Sequence, residues 1–115
     1  MYICMKERFE VLFLERADEF LEEIDEKAKI KLLYNLKLAK TINDPKIFKK
    51  LDSDIWELRA NSKGVQYRLL AFWDKRTAEN TLVVCSHGFI KKTDKLPVRE
   101  LDKARKIMVN YFQNQ

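Results

Sequence analysis

The amino-acid sequence predicts an α+β domain of order β-α-α-β-β-β-α, in which an antiparallel sheet is packed by an N-terminal helical hairpin and a C-terminal helix. Three patterns predict it: apolar residues at three-and-four spacing over 17–39, two-residue alternation over 55–73, and a return of helical spacing after Pro97. The 115 residues suit a single domain, 1–115, with no internal repeat and no linker long enough to divide them.

Taken in order, RFEVLFL (8–14) is rich in Phe, Val and Leu and reads as a first strand. Ala17, Phe20, Leu21 and Ile24 then place an apolar stripe along a short helix whose other side is acidic, from Glu15 to Glu26. A second helix follows a break near Asp25. Its apolar spacing is Ile30, Leu33, Leu36 and Ala39, its polar side is basic, and Asn43-Asp44-Pro45 stops it because proline disfavours helical geometry in the residue before it.

Lys46 to Asp54 reads as a connector. IWELRA (55–60) and VQYRLLAFW (65–73) read as a hairpin across Asn61-Ser62-Lys63-Gly64, with Gly64 supplying a positive φ. Residues two apart share a face, so Trp56, Leu58 and Ala60 lie with Tyr67, Leu69, Ala71 and Trp73 on the core side. Glu57, Arg59, Gln66 and Arg68 lie on the other. Pairing Ala60 with Val65 sets Arg59 opposite Gln66 and Glu57 opposite Arg68. After a polar turn over 74–80, the nearly continuous apolar run of residues 81–90 suggests a central strand. Leu96-Pro97 opens the last helix, whose buried side is Leu101, Ala104, Met108 and Tyr111.

Composition narrows the function. No apolar run is long enough to span a membrane, and MYICMK is too short and too soon followed by charge to be a signal peptide, so a soluble cytoplasmic protein is expected. Cys4 and Cys85 form neither a disulfide framework nor a metal-ligand spacing. The net charge of +5 is unevenly placed: residues 1–54 carry 11 Lys and Arg against 12 Asp and Glu, and residues 55–115 carry 12 against 6. A basic surface confined to one half of a small domain suggests a polyanion partner, with a plain solvated face as the competing reading.

Several chemistries are excluded by pattern: there is no Gly-rich phosphate loop, no G-x-S-x-G elbow, no second histidine, and no metal ligand set. What remains is basic and aromatic. Arg59 and Arg68 sit in mid-strand, either as a phosphate-binding pair or with Arg68 engaged in a cross-strand ion pair to Glu57. The strand exit LVVCSHGFIKKTDKLP (82–97) carries His87, Lys91, Lys92 and Lys95, with Arg99 beyond it. Lys91 and Lys92 can equally be a charged strand end that discourages edge pairing.

The element order, WELR and QYRLLAF in consecutive strands, and HGFIKKTDKLP before a final helix resemble the RelE/ParE toxin superfamily in its HigB-like, phage-derived branch. The HGF-x-KKT-x-K-x-P pattern fixes eight of its eleven positions. The resemblance implies a RelE-like fold and the toxin of a type II toxin–antitoxin system. It also implies a ribosome-dependent endoribonuclease that cleaves messenger RNA without metal or cofactor. The partners implied are the ribosome with its message and a cognate helix-turn-helix antitoxin encoded alongside. No membrane is involved.

In such cleavage the 2′-hydroxyl attacks its own phosphate, which calls for a base at O2′, a cation beside the non-bridging oxygens and an acid at the leaving O5′. The resemblance assigns phosphate stabilisation to Arg68 and a catalytic role to Arg59 and to Lys91 or Lys92. A lysine among other cations loses its proton more readily, which makes this lysine pair the source of a base. Lys95, Lys63, Arg99 and His87 are candidates for binding RNA or phosphate. Some relatives carry catalytic groups near the C-terminus, where this chain offers Tyr111. Two other readings stay open: a ParE-like toxin that inhibits DNA gyrase by protein contact, and an inactive basic module that binds RNA or an antitoxin.

Overall fold

The computed structural model describes residues 7–77 and 81–114, which leaves the N-terminal MYICMK with Cys4, and the last three residues of the 74–80 turn, outside the described residues. The elements are β1 (Glu10–Phe13), α1 (Glu15–Glu23), α2 (Glu26–Ala39), β2 (Phe48–Lys50), β3 (Trp56–Ser62), β4 (Val65–Asp74), β5 (Leu82–Lys91) and α3 (Val98–Gln113). The five strands form one sheet of order β1-β5-β4-β3-β2, and the fold is α+β as the patterns predict. The sheet is mixed, however. β1 runs parallel to β5, pairing Glu10 with Leu82 and Phe13 with Cys85, while all other pairs are antiparallel.

Two apolar cores lie on the two faces of the sheet. On one, Ala17 and Leu21 of α1 and Ala28, Leu32, Leu36 and Ala39 of α2 meet Phe48, Leu58, Leu69, Val83 and Cys85. On the other, Leu101, Ala104 and Tyr111 of α3 meet Ile55, Leu70, Phe72 and Val84. Each fully buried aliphatic or aromatic side chain contributes about 1.5–3 kcal/mol, so these layers dominate the stability. The sheet is thereby covered on both sides. Residues 82–85 are continuously apolar for that reason: Val83 and Cys85 face the helical hairpin and Val84 faces α3. β5 is an interior strand, but the central position belongs to β4.

Three further readings are corrected. The presumed connector contains β2, whose three residues are too few to show a pattern; Phe48 is held in an aromatic cluster with Phe9, Trp56 and Trp73 while Lys49 and Lys50 are exposed. On α2 the buried face is Ala28, Leu32, Leu36 and Ala39, and Ile30 and Leu33 are exposed. Steps of three residues fall short of a 3.6-residue turn and drift around the helix, whereas steps of four, four and three hold one face. The small Ala28 and Ala39 also let α2 approach the sheet closely. At its C-terminal end, Arg8 donates from Nη2 to the Ala39 carbonyl at 2.6 Å.

The third correction is the hairpin register. Asn61 and Ser62 stay in β3, and the turn is only Lys63-Gly64, with φ of 52° and 80°. Two successive positive φ values define the tight primed turn that matches strand twist. Ser62 therefore pairs with Val65, and Arg59 stands directly opposite Arg68 instead of Gln66. The shift is two residues, so every side chain keeps its predicted face.

β5 has one irregularity. Leu70 pairs with His87 while the next residue, Ala71, pairs with Cys85, so Ser86 is an extra residue in the strand. This β-bulge exchanges the faces of everything after it. Gly88 consequently faces α1, where the Phe20 ring lies so close that a Cβ would overlap it.

At the far end of β4, Asp74 Oδ2 accepts hydrogen bonds from Tyr111 Oη at 2.7 Å and Arg76 Nη2 at 2.8 Å. The Arg76 guanidinium, with help from the Tyr111 hydroxyl and against burial, holds the Asp74 carboxyl well below the usual carboxylate range. Tyr111 is thus committed to anchoring α3. Its ring packs on Phe72 and its hydroxyl on Asp74, four and six residues along β4 from Arg68, so at ~3.3 Å per residue the hydroxyl's partner lies roughly 20 Å away.

Gly88→Ala is expected to lower stability by about 1–3 kcal/mol through overpacking against Phe20. Urea denaturation checks this as a lower midpoint with an unchanged slope.

Candidate functional site

The site lies at the end of the sheet that α3 leaves uncovered, where the β3–β4 turn and the exit of β5 come together. Its centre is Glu57. This side chain is fully buried on the α3 face of β3, and its Oε1 accepts from Arg59 Nε at 2.8 Å and lies 3.6 Å from Arg68 Nε. The cross-strand ion pair between Glu57 and Arg68 therefore exists, and Arg59 shares the same carboxylate. Two guanidinium groups on one carboxylate leave a net charge of +1.

The two arginines are held differently. Arg68 is only 6% exposed and donates from Nη1 to the Tyr67 carbonyl at 2.9 Å and from Nη2 to Gln66 Oε1 at 2.7 Å. Burial pushes its pKa down, Glu57 draws it back up, and the Arg59 charge pushes it down again. Arg59 is half-buried and held only through Nε, so its two terminal amino groups have no hydrogen-bond partner among the described residues. Its backbone is fixed on both sides: its N–H donates to the Ile47 carbonyl at 2.8 Å, and its carbonyl accepts from Asn35 Nδ2 at 2.8 Å.

Arg59 and Arg68 line a cleft of about 400 Å³ along the open edge of β3, together with Lys31 of α2, Lys46 before β2, Asn35 and Asn61. Four cations and no carboxylate line it. Lys31 and Lys46 were not singled out by sequence reasoning, because they are 13 or more residues from Arg59 and sit in segments read as a helix surface and a connector. A second cleft of about 470 Å³ is lined by Gly64, Gln66, Ile90, Lys91, Lys92 and Asp94. The Gln66–Arg68 hydrogen bond joins the two, since Gln66 lines one and Arg68 the other. Lys91 pairs with Gln66 across the ladder and so shares a face with Arg68.

The remaining candidates are spread more widely. Lys63 is exposed at the tip of the turn, next to Gly64 of the second cleft. Lys95 and Arg99 are exposed on the β5–α3 loop and in the first turn of α3, and neither lines these two clefts. His87 is placed elsewhere altogether. It is 1% exposed, and its Nε2 donates to Glu100 Oε1 at 3.0 Å while Ser86 Oγ stands 3.2 Å from Nδ1. His87 lines neither cleft, and its hydrogen bond to Glu100 ties β5 to α3.

Among the described residues, no group of three or more His, Cys, Asp or Glu is placed to hold a metal ion, and no helix is long and apolar enough to cross a membrane. Cys85 is buried, and burial pushes its thiol up to about 12, so it is not a nucleophile at neutral pH.

Burial lowers the His87 pKa below its ordinary 6.5, with Glu100 opposing and Lys103 and Arg16 adding to the fall. Because the folded value is the lower one, the unfolded chain binds the proton more readily. The stability this group contributes is present above about pH 6.5 and is lost as pH falls below it. The chain has one histidine, so no other side chain of ordinary pKa titrates between about pH 7.5 and 5.5. The urea midpoint is expected to fall across that interval, and His87→Gln is expected to flatten the fall; an equal fall in the variant overturns this.

Comparison with curated proteins finds no match. A family model described as phage-derived protein Gp49-like (DUF891) matches residues 19–109. The match runs from α1 to the penultimate turn of α3 and takes in every residue that lines the two basic clefts. With most of its length inside that match, the chain belongs to the phage-derived Gp49-like protein family.

Proposed function

We propose that this protein is the toxin of a toxin–antitoxin pair, and that it acts in the cytoplasm as a ribosome-dependent endoribonuclease on messenger RNA. The observation that carries the reading is the Arg59–Arg68 pair in an open cleft with Lys31 and Lys46, next to a second cleft with Lys91 and Lys92. Membership of the Gp49-like family and the HGFIKKTDKLP exit, with its likeness to HigB-type toxins, support it.

The chemistry follows from charge. When the ribose 2′-hydroxyl attacks the adjacent phosphorus, the P–O2′ bond forms, the P–O5′ bond breaks, and the products are a 2′,3′-cyclic phosphate and a 5′-hydroxyl. Negative charge grows on the non-bridging oxygens in between. The unpartnered amino groups of Arg59 are the donors placed to meet it, with the buried Arg68 charge behind them. Lys91 or Lys92 serves the proton transfers at O2′ and O5′. Lys31 and Lys46 hold flanking phosphates without discriminating sequence. The message presented by the ribosome and an antitoxin that covers the clefts are the partners in this reading.

Induction in bacterial cells with mapping of new 5′ ends on translated messages tests it. Cuts are expected only under translation, and Arg59→Ala is expected to reduce them by about 10²-fold or more, the usual loss when one preorganised donor is removed. Cuts that appear without translation, or that survive Arg59→Ala at full rate, sink the proposal. Growth arrest with intact messages and inhibited gyrase favours the ParE-like alternative.

A further inference from the structure

We infer that Glu57 is a positioning residue for this cleavage: its buried carboxylate aligns Arg59 and Arg68 and holds the charge of the pair at +1. The inference rests on the endoribonuclease reading and names how the site keeps its donors in place.

The geometry is unlike that of an ion pair built for stability alone. An arginine and a carboxylate satisfy each other best as a bidentate fork, two parallel N–H···O bonds. Here Oε1 alone serves both arginines, while Oε2 is buried with no hydrogen-bond partner, and Arg68 Nε is likewise buried without one. Leaving such groups unmatched costs stability. What the arrangement achieves is orientation. Arg59 and Arg68 are directly opposed across the strands, a like-charged pair that repels. A carboxylate between them removes most of that repulsion. Because it grips Arg59 at Nε, the two terminal amino groups keep no hydrogen-bond partner among the described residues while Arg59 lines the cleft, and because Glu57 is fully buried and does not line the cleft it never meets the phosphate itself.

The same placement separates binding from catalysis. Cancelling one of two positive charges weakens ground-state attraction for RNA, whereas donors fixed in advance act most strongly on the charge that develops in the transition state. Removing the carboxylate charge therefore strengthens binding and slows the reaction.

Steady-state cleavage of a message on purified translating ribosomes reads both effects. Glu57→Gln keeps the side-chain volume and loses the charge. It is expected to lower kcat at least ten-fold without raising KM, and to steepen the dependence of log KM on log salt by about 0.7, the increment for one added phosphate contact on single-stranded RNA. Glu57→Asp, which keeps the charge and shortens the arm, is expected to lower kcat with the wild-type salt dependence. An unchanged kcat in Glu57→Gln, or a raised KM with kcat intact, overturns the inference. No cleavage by the wild-type protein overturns the endoribonuclease reading instead. Should neither variant fold, nitrogen NMR of the wild-type protein decides: the Arg59 Nε proton is expected to exchange with water at least ten-fold more slowly than that of the exposed Arg99, and equal rates overturn the inference.

Discussion

The candidate site of this molecule depends on one extra residue in β5. Strict alternation from Val83 and Cys85 on the hairpin face would carry His87, Phe89 and Lys91 to that same face, beneath α1 and α2. Ser86 interrupts the count, and its Oγ donates to the Leu70 carbonyl at 3.2 Å where the regular ladder lapses. His87 then meets Glu100 of α3, Gly88 slips under Phe20, and Lys91 emerges opposite Gln66 on the face of Arg59 and Arg68. Without the bulge Lys91 would emerge on the face opposite Arg59 and Arg68. Bulges re-aim side chains beside functional sites in many sheets, and this one brings a lysine round to a pair of arginines.

Elements whose signal is local were legible in the sequence. The acidic helix, the hairpin strands and the final helix after Pro97 all show their period within a dozen residues, and the core faces of β3 and β4 follow from alternation alone. What was not legible is pairing. Nothing in EVLF says that it lies parallel to β5, and FKK becomes a strand only because Phe48 finds Phe9, Trp56 and Trp73. The two-residue turn was hidden because Asn61 and Ser62 look like loop residues. Its signature was nonetheless present in Gly64, which takes φ of 80° at no steric cost.

The site divides in the same way. Arg59 and Arg68 were recognisable as chemistry because guanidinium groups in mid-strand need a reason. Which of them is the more open was not recognisable, because exposure depends on side-chain packing. Arg68 is buried, its ends tied to Tyr67 and Gln66, and Arg59 is partly open. His87 misleads in the opposite direction. A lone histidine in a basic segment invites a role in the reaction, but the bulge turns it toward Glu100 of α3 and burial lowers its pKa.

Charge counted along the chain was the weakest guide to charge in space. The halves differ sharply, with the excess of Lys and Arg in residues 55–115. Yet the arginine cleft draws two of its four cations, Lys31 and Lys46, from the acidic half. α2 makes this possible. It crosses β3 with Asn35 bonded to the Arg59 carbonyl, which brings Lys31 to the sheet edge while α1, with its carboxylates, lies over β5. At about 8–10 Å the Debye length in physiological salt is comparable to the width of such a cleft, so the local set of cations, not the net +5, governs what an approaching phosphate meets. Arg68 adds to that local field from a largely buried position where salt screens it least, and this is why a guanidinium with little exposure can still matter to the more open one beside it.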